Sequence, residues 1–179
     1  MGLGPIGSAF GMLMFLTIIT NLMMVLAYWS ELAKSPARLM VFFSNTGVRT
    51  AIAAHIALVV LVYWTAIHGE LVLTPFMKVT DIALHAIAPA LYVAWWWLLP
   101  FKHGLTYSRI PRWMAWPVVY LVFIMLAGSA TGAYIYPILD ANQLGGGTVA
   151  LNIAAMLTLL TVLCAALIKL THWQQPAKP

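Results

Sequence analysis

The chain has 179 residues, of which 63% are hydrophobic and only 7% charged, with a formal net charge of +5. Soluble domains carry roughly 25% charged residues, so this composition excludes a water-soluble enzyme, and its hydrophobicity excludes a disordered chain. A mean hydropathy of +0.94 points instead to an integral membrane protein.

Charge-free runs long enough to cross a bilayer divide the chain into about five spans. The first is expected over residues 5–29, with Glu31 its first charge. No Lys or Arg precedes its apolar core, as a signal peptide would require. It carries Thr17, Thr20 and Asn21 at i, i+3 and i+4, a spacing that puts all three on one face. Polar groups are costly in lipid, so that face should point into the bundle.

The second span lies between Arg49 and Glu70 and contains His55. The third lies between Asp81 and Lys102. Asp81 and His85 stand at i, i+4, where a carboxylate can hold an imidazole in one tautomer and orientation. Pro89 follows four residues after His85 and lacks the N–H that the carbonyl of His85 would normally receive.

The fourth span follows Arg112 and is expected to reach about Tyr136. Its small-residue patch, Gly128-Ser129-Ala130-Thr131-Gly132, suggests close helix packing. The fifth lies between Asp140 and Lys169 and should start near Thr148, with Gly145, Gly146 and Gly147 making the turn and Thr148 as N-cap. Cys164 sits mid-helix and is expected to be a buried, inert thiol. No stretch is hydrophilic enough for a separate domain, so residues 1–179 form one all-α, polytopic transmembrane bundle.

Eight of the nine Lys and Arg residues fall in the first and third gaps and the C-terminal tail. Positive loops face the cytoplasm, which predicts an outside N-terminus and a cytoplasmic C-terminus. Basic residues dispersed in short gaps form no nucleic-acid surface, and no nucleic-acid partner is expected. Trp29, Trp95, Trp96, Trp97, Trp113, Trp116 and Trp173 then mark the inner interface. Tyr63, Trp64, Tyr134 and Tyr136 mark the outer one.

Two intramembrane histidines raise the possibility of a bis-histidine haem. From their positions along the spans, however, His55 and His85 differ in depth by roughly 12 Å at 1.5 Å per residue. Axial ligands of one iron should lie at similar depth, so no haem is expected. The sequence has no metal-binding or phosphate-binding motif, so neither a cofactor nor a metal is predicted.

Three segments taken together resemble the bacterial "Pr-six-Pr" membrane proteins. They are residues 15–21 around Thr17, residues 81–89 from Asp81 to Pro89, and residues 136–140 from Tyr136 to Asp140. That family is similar in turn to the androgen-induced transmembrane threonine hydrolases. The resemblance covers nearly the whole chain. It implies a compact helical bundle in the bacterial inner membrane. It also implies hydrolysis of lipid esters, such as fatty acid esters of hydroxy fatty acids, by an intramembrane threonine and histidine. The family threonine falls on Thr17 and the histidine on His85. The family usually has six spans with the threonine in the second, whereas Thr17 lies in the first of five, so against the family pattern the sequence lacks the leading span, or its start is misassigned or truncated.

In that reading Thr17 is the nucleophile, His85 its base, Asp81 the orienter of His85, and Asn21 a supporting donor to the oxyanion. The alternative is a non-enzymatic small transporter, lipid-binding or structural membrane protein, with the same polar groups lining a permeation or binding site. The absence of an internal repeat argues mildly against a secondary transporter.

Overall fold

The computed structural model describes residues 11, 14–70, 73–100 and 104–174. Among these the chain is helical without strands, and five helices are long and apolar enough to cross a membrane. The chain is an integral membrane protein. A helix satisfies its backbone polar groups internally, which is what apolar segments of this length require in lipid.

Helix α1 spans Leu16–Ala33 and ends on Lys34, which adopts the left-handed conformation (φ 45°). The part of the first predicted span before Leu16 falls largely outside the described residues. A short helix α2, Arg38–Ser44, occupies the first gap. Asn45 caps helix α3, Thr46–Val62, by accepting from the N–H groups of Gly47 and Val48. This span then widens into a π-helical turn, Tyr63–Ile67.

The third span is composite. Helix α4, Pro75–Ile82, passes through a second π-helical turn, Ala83–Ile87, into helix α5, Ala88–Leu98. Helix α6 covers Ile110–Thr131 and helix α7 covers Ala141–Trp173.

The second span is the centre of the bundle. Its most apolar stretch is 56% buried, against 17–22% for the other four. One face of α3 packs Ile52, Ala53 and Ile56 against Met24 and Ala27 of α1 and against Tyr92 and Trp96 of α5. The opposite face packs Ala51, Ala54 and Leu58 against Leu160, Cys164 and Ile168 of α7. Alanines let neighbouring backbones approach closely, the packing device of membrane helices. Cys164 is fully buried, as anticipated.

Several expectations need correction. Arg49 is not a gap residue. It lies inside α3, is buried, and pairs through Nη1 with Glu31 Oε2 at 2.8 Å. Its Nη2 donates to Ser30 Oγ at 3.1 Å and its Nε to the Phe43 carbonyl at 3.0 Å. A buried guanidinium needs this full set of acceptors. Trp96 and Trp113 are buried, not interfacial, and the Trp96 indole donates to Thr50 Oγ1 at 3.0 Å.

The fourth span stops at Thr131, well short of Tyr136, because Gly132 turns the chain with φ +72°. The small residue at 128 serves this turn: the Tyr134 ring occupies the space a Cβ on Gly128 would need. The small patch thus accommodates its own following loop more than a second helix. The fifth span opens with a short helical segment from Ala141 and runs as unbroken helix only after a kink at Gly145, so the glycines do make a turn near the expected start. Asp140 is its N-cap, accepting from the N–H groups of Asn142 and Gln143. Gly145 interrupts it with φ +75°, and Thr148 lies within the helix.

Candidate functional site

The two π-helical turns face a cavity of about 390 Å³ whose lining includes Thr17, Tyr63, Asp81, His85, Tyr120 and Tyr136. Apart from these the wall is mostly apolar, with Leu58, Val62, Leu121, Ile138 and Met156 contributing. It is formed by the start of α1, the end of the second span, the first half of the third, the middle of α6, the loop before α7 and Met156 of α7.

Thr17 and His85, 68 residues apart in sequence, meet here: Oγ1 lies 3.2 Å from Nε2. The other ring nitrogen, Nδ1, lies 3.0 Å from Asp81 Oδ1 and 3.1 Å from the Asp81 carbonyl oxygen. Carboxylate and carbonyl oxygens only accept. Nδ1 must therefore carry the proton, which leaves Nε2 of the neutral ring as an acceptor for the Thr17 hydroxyl. The tautomer follows from the partners.

Backbone geometry exposes this pair. Pro89 offers no N–H, which frees the His85 carbonyl by the α-helical count and the Leu84 carbonyl by the π-helical one. Trp64 Nε1 donates to the first at 3.0 Å. Asn21 Nδ2 donates to the second at 3.4 Å and to the Thr17 carbonyl at 2.9 Å. Asn21 thus ties α1 to the third span with both of its N–H groups. In this arrangement it presents no N–H to an oxyanion, which corrects the expectation for that side chain.

Thr17 stands in the first turn of α1, where helix N–H groups lack intrahelical partners. The N–H of Leu16 donates to Tyr136 Oη at 2.9 Å and that of Ile19 to the Phe15 carbonyl at 3.2 Å. The N–H groups of Thr17 and Ile18 have no hydrogen-bond partner among the described residues. Tyr120 donates to the Met14 carbonyl at 2.6 Å, so its single proton is committed and Tyr136 donates to Tyr120 across 3.1 Å. Burial raises the Tyr136 phenol above its ordinary range, which keeps it a proton donor. This tyrosine pair holds the start of α1 against the loop.

Sequence reasoning read Tyr63 and Tyr136 as interfacial. Tyr63 is instead buried, stacked on the His85 ring at 3.5 Å between centroids and 10° between planes. Its hydroxyl donates to Asp81 Oδ1 and lies 3.2 Å from His68 Nδ1. The spacing signal was absent because residues 63 and 68 are five apart, roughly 140° around an α-helix, and only the π-turn brings them together. Asp81 is buried in α4, with Oδ2 lacking a hydrogen bond among the described residues.

His55 lies elsewhere. Its Nε2 donates to the Trp113 carbonyl at 3.1 Å, between α3 and α6. No family model, curated protein or solved structure matches this chain.

Proposed function

We propose that the protein is an intramembrane hydrolase of lipid esters, with Thr17 as nucleophile and His85 as base. The observation that carries this reading is the continuous contact from Thr17 Oγ1 to His85 Nε2 and from Nδ1 to Asp81 Oδ1, at 3.2 and 3.0 Å, within a mainly apolar cavity. A threonine hydroxyl is a weak nucleophile until a positioned base takes its proton, and this arrangement supplies that base. The resemblance of the segments around Thr17 and His85 to the Pr-six-Pr proteins and the androgen-induced hydrolases supports the same assignment.

In the reaction Thr17 Oγ1 attacks the ester carbonyl carbon as its proton passes to His85 Nε2. The imidazolium then protonates the departing alkoxide, leaving an acyl-threonine. A water gives its proton to the same nitrogen and attacks the acyl carbon. Thr17 departs with that proton, and the carboxylic acid is released. Asp81 keeps Nδ1–H in place and stabilises the transient imidazolium, the role a buried carboxylate plays in a nucleophile–base–acid triad. The N–H groups of Thr17 and Ile18, in the first turn of α1, are the donors suited to the developing oxyanion. The apolar wall accommodates an acyl chain.

The distribution of basic residues supports an outside N-terminus and a cytoplasmic C-terminus, and the family resemblance supports a bacterial inner membrane. In that orientation the cavity lies in the outer half of the bilayer. Reporter fusions after Trp173 should behave as cytoplasmic.

The test is covalent labelling of the purified protein by a hydroxyl-directed fluorophosphonate, with hydrolysis of a long-chain ester measured alongside. Labelling should be lost in Thr17→Ala and kept in Thr17→Ser. Full hydrolysis by Thr17→Ala would replace this reading with a lipid-binding or transport protein built around the same cavity.

A further inference from the structure

Tyr63 and His68 are not required by the reaction as written, yet they complete the buried polar cluster. Tyr63 has one proton and two polar neighbours. Asp81 Oδ1 can only accept, so the proton goes there. The contact between Tyr63 Oη and His68 Nδ1, 3.2 Å, must then be donated by His68. The partners set the order of protons: His68 Nδ1–H to Tyr63, Tyr63 O–H to Asp81 Oδ1, and His85 Nδ1–H to the Asp81 carbonyl, with Oδ1 3.0 Å from the same nitrogen. His68 also approaches Asp81 Oδ2, at 3.6 Å, and its side chain remains 42% exposed.

Tyr63 does a second thing. Its ring lies flat on the imidazole of His85, 3.5 Å away and within 10° of parallel. The last torsion of a histidine side chain is broad and not confined to staggered wells. The contacts at Nδ1 fix one edge of the ring, and the stack fixes its plane. Together they aim Nε2 at Thr17.

Resting on the hydrolase reading, we infer that Tyr63 is a positioning residue for His85, backed by His68. Tyr63 bonds the Asp81 carboxylate oxygen that lies against the imidazole Nδ1 and clamps the ring face. His68 supplies the outer donor that keeps the Tyr63 proton directed inward. The π-helical turn at Tyr63–Ile67 is what makes this possible: the His68 N–H bonds to the Tyr63 carbonyl, placing the two side chains one π-turn apart.

The test compares Tyr63→Phe, Tyr63→Leu and wild type by ester hydrolysis and by proton NMR of the low-field Nδ1–H resonance, assigned by its loss in His85→Ala. Tyr63→Phe keeps the ring and loses the hydroxyl. It should lower kcat about tenfold, the scale at which partners that orient a metal-bound imidazole act, with KM unchanged, and it should move the resonance. Tyr63→Leu should lower kcat further. His68→Leu, at a partly exposed position, should give the same directions more weakly, and His68→Gln, which keeps an N–H donor, should restore both readouts. Wild-type kcat and an unmoved resonance in both Tyr63→Phe and His68→Leu would overturn the inference. A resonance that moves in a protein without hydrolytic activity would uphold the clamp and remove the hydrolase reading alone.

Discussion

Two prolines interrupt two spans, and the bundle repairs the same backbone defect in two ways. In α6, Pro117 deprives the Trp113 carbonyl of its helical donor, and His55 Nε2–H takes that place at 3.1 Å. In the third span, Pro89 deprives the His85 carbonyl, and the Trp64 indole takes that place at 3.0 Å. The first repair consumes a histidine. His55 is held in one tautomer by a backbone carbonyl, and its Nδ1 is buried without a partner among the described residues. The second repair uses a tryptophan and leaves the histidine free to face a threonine on one side and a carboxylate on the other. A buried histidine becomes available for chemistry when another donor satisfies the backbone around it.

The sharpest way to break this comparison is to remove each histidine. His85→Ala and Thr17→Ala should each lower hydrolysis of a long-chain ester by at least about 10²- to 10⁴-fold, the usual contribution of a positioned base. The double variant should be no worse than either single, because the two act as one unit. His55→Leu should leave kcat per folded molecule unchanged. Equal losses at the two histidines, measured on detergent-purified protein, would erase the distinction. Activity in the wild type should fall as pH drops and His85 takes up a proton, since only the neutral ring is a base.

A smaller effect is expected at Asp81. Asp81→Asn should reduce hydrolysis about ten- to a hundredfold, as for other partners that orient a reactive imidazole, with expression maintained. Unchanged turnover would remove Asp81 from the mechanism and leave His85 held by the Asp81 carbonyl alone.

In stability the ranking of the histidines reverses. His55→Leu leaves the buried Trp113 carbonyl unpaired and should cost about 1–3 kcal/mol, read as an earlier transition in thermal or denaturant unfolding in detergent. Gly128→Ala tests a different tight point. Its new methyl meets the Tyr134 ring and should cost about 1–3 kcal/mol by overpacking; a stability equal to wild type would mean that the turn after α6 yields.

The smallest effect belongs to Trp64. Its partly exposed indole bond to the His85 carbonyl should be worth about 1 kcal/mol, measured as the stability lost in Trp64→Phe. In a Pro89→Ala background the backbone regains an N–H and the same substitution should cost less. A double-mutant cycle isolates that coupling. An unchanged cost would mean that Trp64 does not stand in for the missing helical donor.

The sequence by itself determined the five apolar spans, because lipid admits only segments that satisfy their own backbone. It determined the pairing of Asp81 with His85, because i, i+4 neighbours share a helix face, and it identified Pro89 as the break beside them. It read Thr17, Thr20 and Asn21 as one inward-facing set, and Thr17 and Asn21 do reach the third span. Only the tertiary structure decided that Thr17 and His85 meet, since residues 68 apart are joined by packing that no local period encodes. Only it decided what repairs each proline, which separates His55 from His85. The roles of Tyr63, His68 and Arg49 were equally hidden. An aromatic or a charge near a span end has the same one-dimensional signature at the lipid interface as in the core. A π-turn at Tyr63 and an acceptor set around Arg49, made of groups from α1 and α2, exist only once those helices are side by side.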